Sequence, residues 1–382
     1  MKGLPGDWSG LVVFCAGTAL DGHRLPDQHI AERLVPYAPV LYVDPPEWRG
    51  RGASLGRLQL VEPGLARLTP SGVPGIERPV LNRVNDALVR RSVRAAVDAL
   101  GATVQAVVLA SCHDLMSAVE APISVFYGTD DFVAGSPLAR IPEARLRRQE
   151  AKHLREANRI VAVSTALAQN WEARGYSVEL IPNGVDSDLF AATDVAPLPD
   201  DVELPGPVVG FVGQLADRID LSMLEVVADR GHALLLVGPH HHAFAIERVE
   251  HLLARPNVQW VGNKPFESLP SYLRVCKVGI TPYTTSSFNE ASFPLKTLEY
   301  LAAGRAVVAS DLPAVRWLDT DLVRIASTAS EFADQVTAAL DEPSPPELVA
   351  RRRAFAHAHR WEARAEQFAR LLELEHHALA HG

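Results

Sequence analysis

Lys296 and Glu299 stand three residues apart in "NEASFPLKTLEYLAAGRAVVAS", Asn289 to Ser310. Pro294 suits the first turn of a helix and Gly304 its end, so both charges fall in the opening turns of a mostly apolar helix. They are either a surface i,i+3 pair, worth about 0.2–0.5 kcal/mol, or the polar anchors of a ligand site. A helix N-terminus favours an anion there, through its free amides and its dipole. Arg218 in "GQLADRID" follows Gly213 in a strand-to-helix loop. It either pairs with Asp217 or Asp220, or offers a fork of donors to phosphate oxygens. His113 lies in "VVLASCHD" just past a strand, where it either bonds to backbone or meets a ligand hydroxyl. Asp130 and Asp131 end the next strand, one suited to capping a helix and the other to binding a hydroxyl.

Other patterns carry less. The D-x-D of Asp186 and Asp188 matches a common divalent-metal pattern, but three-residue acidic patterns arise often by chance. The histidines at 240–242 read as a solvated loop, with adventitious nickel or zinc uptake as the alternative. Cys15, Cys112 and Cys276 lie singly in apolar stretches, as reduced structural cysteines of a cytosolic protein would. Neither G-x-G-x-x-G, nor G-x-x-x-x-G-K-[ST], nor G-x-S-x-G occurs, which weakens dehydrogenase, NTPase and serine-hydrolase functions.

The elements that must position these residues alternate between strand and helix. Strands are expected at 11–17, 40–46, 104–111, 123–131, 159–164 and 178–186, and again at 208–214, 233–239, 258–262, 278–283 and 306–310. The proline- and acid-rich run 190–207 has no period and reads as a linker. Two doubly wound α/β domains follow, 1–189 and 208–345, with helical residues 346–382 packing back toward the first. Such sheets bind ligands at the carboxyl ends of their strands, so the two faces are expected to form a cleft. The 382 residues, 47% hydrophobic and 22% charged, describe a globular protein of about two domains. A net charge of −9 argues against a nucleic-acid binder. No apolar run approaches the roughly 20 residues of a membrane span, and no signal peptide is read at the start. A cytoplasmic location is expected, with peripheral contact at the inner face of a membrane left open.

"IPNGVDSDLF" and "FPLKTLEYLAAGRAVVAS", about a hundred residues apart, together resemble the GT-B glycosyltransferases, in particular the retaining family-4-like (group 1) enzymes. "YGTDDF", "ANRIVAVSTAL" and "VGFVGQLADRIDLSMLEVVAD" are similar to the same group, so the likeness runs from about Val12 to Leu340. It implies a GT-B fold of two Rossmann-like domains, a nucleotide-sugar donor (UDP-, GDP- or dNDP-linked), a hydroxyl acceptor, retention of configuration and no cofactor or metal. It implies ribose binding by Glu299, diphosphate binding by Lys296 and Arg218, and donor contacts along Ser292, Phe293, Pro294 and Leu295. Gly213 would let the diphosphate approach, and Lys264, Pro265 and Phe266 would contact the base. Gly17 and His113 would lie near the reacting sugar, with Asp130 on the acceptor side. His113, Arg218 and Lys296 are the expected catalytic residues. The sequence departs from the family in two places. Eight residues before Glu299 stands Ala291 where a glutamate is usual, with Glu290 displaced by one, and Gln214 stands where an arginine is frequent. A nucleotide-sugar epimerase of the same fold and a non-catalytic sugar-nucleotide-binding partner are the rival functions.

Overall fold

The computed structural model describes residues 3–48, 55–73, 79–139, 141–293 and 295–375. The chain divides into two compact units, the first of residues 1–182 and 361–382, the second of residues 183–360. In the first, strands β1 (Ser9–Cys15), β2 (Val40–Val43), β3 (Glu47–Trp48), β4 (Gly56–Glu62), β5 (Leu65–Gly72), β6 (Thr103–Leu109), β7 (Ile123–Gly128), β8 (Arg159–Ala162) and β9 (Glu179–Leu180) form one sheet. Its order is β3-β5-β2-β1-β6-β7-β8-β9, with β4 antiparallel on β5. In the second unit, β10 (Val208–Val212), β11 (Ala233–Val237), β12 (Val258–Trp260), β13 (Cys276–Thr281), β14 (Ala306–Ser310) and β15 (Val323–Ala326) form a parallel sheet in the order β12-β11-β10-β13-β14-β15.

The second unit's apolar strand runs are uninterrupted because both faces of its sheet are buried. Val208 and Val212 of β10 face one core while Val209 and Phe211 face the other, as the two-residue period requires. The expected strands are present, and most end a few residues before the sequence suggests. "LVVFCAG" stops at Cys15 and "ISVFYGTDD" at Gly128, leaving the polar residues that follow to the loops. Four strands went unpredicted: β3, β4, β5 and β15. β4 and β5 make an edge hairpin across Pro63 and Gly64, and most of β4 faces solvent, so it shows no apolar run to read.

The stretch 190–207 is not a spacer between the units. The chain passes from one unit to the other at Pro182 and Asn183, and residues 187–195 are helical within the second unit. Phe190 is fully buried in that unit's core, which fixes this segment whatever its composition. The C-terminal helices also part company. Pro346–Ala358 packs on the second unit's Leu295–Ala302, whereas Trp361–Leu371 packs on the first unit's Pro26–Leu34. There Trp361 stacks on His29 with ring centroids 4.8 Å apart.

Candidate active site

The second unit's strand order reverses between β10 and β13, which are neighbours although β11 and β12 intervene in sequence. The loops leaving these two carboxyl ends form the crevice in which a doubly wound sheet takes a ligand. They are laced together. Asp220 N–H donates to Pro282 O (2.8 Å), Thr284 N–H donates to Arg218 O (2.9 Å), and Ile219 bridges Tyr283. Asn289, 1% exposed, completes the lacing: its Nδ2 donates to the carbonyls of Arg218 (3.0 Å) and Thr284 (2.9 Å). Its Oδ1 accepts from Arg218 Nε at 2.9 Å. The Arg218 guanidinium lies 4.8 Å from the Phe288 ring centroid and 5.5 Å from that of Tyr283, where the aromatic faces favour a cation. Neither expected aspartate pairs with it. Asp220 instead caps the helix Leu221–Asp229 through Ser222 N–H. Among the described residues nothing accepts a hydrogen bond from the two terminal Arg218 nitrogens, so the fork is free for an anion.

The helix Leu295–Ala302 begins just beyond this lacing and ends at Gly304, whose φ of +77° a side chain would strain. Leu298, Leu301 and Ala302 face the core, each buried leucine contributing about 1.5–3 kcal/mol. Lys296 Nζ lies 2.7 Å from Glu299 Oε2 and 6.0 Å from the Phe266 ring centroid. With Glu299 only 5% exposed, this is not the surface pair of the simpler alternative. Tyr300, which sequence reasoning missed, holds the helix to the sheet. Its hydroxyl accepts from Val212 N–H at the end of β10 (2.8 Å) and donates to Ile280 O in β13 (3.3 Å). Burial raises that phenol's pKa well above the usual tyrosine value, which keeps it a donor.

Of the residues leading into the helix, Ser292 spends its amide on Asn289 O (3.3 Å) and its hydroxyl on Phe288 O (2.9 Å). Phe293 is buried edge-on against Trp317, Leu295 is half-buried, and Pro294 lies outside the described residues. Gly213 N–H donates to Val237 O (2.8 Å), and its own carbonyl faces Gly238, where a Cβ would stand 2.1 Å from that oxygen. Gly238 has a φ of +136°, so only glycine fits this close approach of two loops. Lys264 is occupied: its Nζ lies 2.5 Å from Asp201 Oδ2, and the Tyr272 hydroxyl donates to the same carboxylate. The Lys264 ammonium is thus committed to an ion pair, while Phe266 is half-buried beside it. Pro265 opens the short helical turn Phe266–Ser268.

The first unit repeats the logic, since β1 and β6 are neighbours and carry Gly17 and His113 on their carboxyl-end loops. The Gly17 and Thr18 amides both donate to Asp27 Oδ2 (3.0 and 3.1 Å), as does the Thr18 hydroxyl (2.8 Å). Burial pushes the Asp27 carboxyl above its ordinary range, against the pull of those donors. His113 Nδ1 lies 3.0 Å from Asp86 Oδ1, a side-chain partner on the helix Pro79–Leu100 rather than the expected backbone one. Asp131 caps the turn after β7 by accepting from Ala134 N–H (2.8 Å), and Asp130 beside it is half-buried. The three cysteines are free, and burial pushes each thiol up to about 12, away from thiolate chemistry. Asp188 is exposed and Asp186 precedes a five-residue helix. Among the described residues no cluster of three metal-ligating side chains occurs, and no helix is long and apolar enough to cross a membrane.

Comparison with known proteins is consistent with this arrangement. Residues 206–342 match the family described as glycosyl transferases group 1. Over 139 residues the chain is 37% identical to a Bacillus subtilis protein described as a teichuronic acid biosynthesis glycosyltransferase, TuaH, covering 36% of this chain and 35% of the relative. Over 229 residues it is 31% identical to the phosphatidyl-myo-inositol mannosyltransferase of Mycolicibacterium smegmatis, covering 56% of each. The chain thus spans about a third to just over half the length of these curated relatives. Among solved structures, sucrose-phosphate synthase from Thermosynechococcus elongatus superposes with a TM-score of 0.76 at 18% identity, over 95% of this chain and 98% of that one. Anabaena HepE in complex with UDP and glucose gives 0.67 at 15% identity, over 95% and 99%. Residues 206–342 therefore resemble a glycosyl transferases group 1 domain, within a chain that has the GT-B fold.

Proposed function

We propose that this chain is a glycosyltransferase that moves a sugar from a nucleotide-sugar donor to a hydroxyl acceptor, with retention and without a metal. The observation that carries this reading is the pairing of buried Glu299 with Lys296 beside the uncommitted fork of Arg218, at the switch point of the second unit. The group 1 match over that unit, the two curated relatives named as glycosyltransferases, and a structural neighbour holding UDP and glucose support it.

In this mechanism Glu299 accepts from the ribose hydroxyls, while Lys296 and Arg218 face the diphosphate. The anomeric C–O bond breaks, and its electron pair leaves with the phosphate oxygen. The acceptor oxygen bonds to the anomeric carbon on the same face, and its proton passes to the departing phosphate. Negative charge grows on that phosphate as the bond breaks, so cations held in place beforehand lower the barrier without reorganising. Gly17, His113 and Asp130 serve the acceptor side and the reacting sugar. Lys264, Pro265 and Phe266 border the base, with Phe266 supplying a ring for it to stack on. The test is a panel of UDP-, GDP- and dNDP-sugars incubated with the protein in EDTA. Slow release of nucleoside diphosphate from at least one donor is expected. Turnover lost on chelation and restored by Mg²⁺ or Mn²⁺ removes the metal-free mechanism and returns attention to Asp186 and Asp188. A donor whose sugar is isomerised while still attached to its nucleotide points to an epimerase, and a panel left untouched removes the transferase.

A further inference from the structure

Asp86 belongs to none of the motifs above, yet it is the one side chain bonded to the His113 ring among the described residues. It projects from the helix Pro79–Leu100 and is 3% exposed. Its Oδ1 lies 3.0 Å from His113 Nδ1, and its Oδ2 accepts from Asn82 Nδ2 at 3.2 Å. A carboxylate can only accept, so the hydrogen between Asp86 and the ring resides on Nδ1. In the neutral imidazole the other nitrogen, Nε2, then carries a lone pair. Nε2 has no hydrogen bond to any described residue and is not among the buried unpartnered atoms, so it is open to a ligand. Asn82 and the buried surroundings hold the carboxylate still, which fixes the ring's orientation as well as its tautomer.

We infer that Asp86 is a positioning residue that locks His113 as the Nδ1–H tautomer, so that Nε2 accepts a hydrogen bond from a hydroxyl of the sugar or acceptor. This deepens the proposed function and rests on it for the identity of the hydroxyl. The tautomer itself does not depend on it. Free imidazole side chains favour hydrogen on Nε2, so the opposite tautomer is a distinctive signature of an imposed partner.

The experiment has two arms. In the first, ¹⁵N-histidine-labelled protein is examined by long-range ¹H–¹⁵N correlation at a pH where His113 is neutral, with His113→Gln assigning the signal. The parent should show a pyrrole-type Nδ1 and a pyridine-type Nε2, and Asp86→Asn should lose that pattern. A parent signal with hydrogen on Nε2 overturns the inference even if the variant fails to fold. In the second arm, Asp86→Asn is made in the parent and in His113→Ala, and kcat/KM is measured with the donor found active. If Asp86 acts through His113, it costs about ten- to a hundred-fold in the parent and nothing further in His113→Ala. Equal losses in both backgrounds mean that Asp86 is merely structural, which overturns the positioning role. Absence of turnover with every donor defeats the proposed function, while the first arm still decides the tautomer.

Discussion

Lys296 and Glu299 are asked to do different things, and kinetics separates them. Lys296 would meet charge that grows only as the bond breaks, so Lys296→Ala should lower kcat as well as donor affinity. Glu299 would hold the ribose equally in ground and transition states, so Glu299→Ala should raise the donor KM with a smaller change in kcat. Each lost charged hydrogen bond costs on the order of 1.5–3 kcal/mol, a ten- to hundred-fold effect. Stability needs a parallel control, because Lys296→Ala strands a carboxylate that is only 5% exposed. A thermal melt of each variant supplies it. Both variants turning over at the parent rate would mean that the pair is structural and the donor binds elsewhere.

The helix that carries this pair is only as well placed as its attachment to the sheet, and Tyr300 is that attachment. Its hydroxyl satisfies both a buried N–H at the end of β10 and a carbonyl in β13, and its ring lies over Gly279. Tyr300→Phe keeps the ring and the packing but leaves the Val212 N–H without its partner. It should cost about 1–3 kcal/mol in urea unfolding, the penalty of an unsatisfied buried donor. It should also weaken donor binding although Tyr300 touches no proposed ligand, since the helix would lose its register against the loops of β10. Unchanged donor affinity together with parent stability would show that packing alone positions the helix. The same dependence on neighbours holds for Arg218, whose direction is set by Asn289 from the short helix Ser287–Ala291 rather than by its own aspartates.

Each unit has its own apolar core, so damage to one can be told from damage to the other. Trp361 is 2% exposed in the first unit, where the chain returns after completing the second. Trp361→Ala should destabilise that unit by about 3–5 kcal/mol, as large-to-small core changes do. Calorimetry with and without the nucleoside diphosphate of the active donor should then show a lowered transition alongside one that nucleotide still protects. At a hundred times its Kd, that protection is about 2.7 kcal/mol. Loss of nucleotide protection in the variant would mean that the donor site depends on the first unit. The sequence by itself determined the alternating strands and helices, the two-unit organisation, and the loops where charged residues meet strand ends. Those features rest on local periodicity and on residue types such as Gly304, Lys296 and Glu299, which carry their signal within a few neighbours. Only the tertiary structure decided which partners those residues have. Asp86 is 27 residues from His113, Asn289 is 71 from Arg218, and the Tyr300 hydroxyl binds an amide 88 residues away. It also put Phe190 into a core and Lys264 onto Asp201, turning an expected linker into part of a domain. Such pairings are written in no local pattern, because a buried polar group takes whichever partner the folded chain brings within hydrogen-bonding distance.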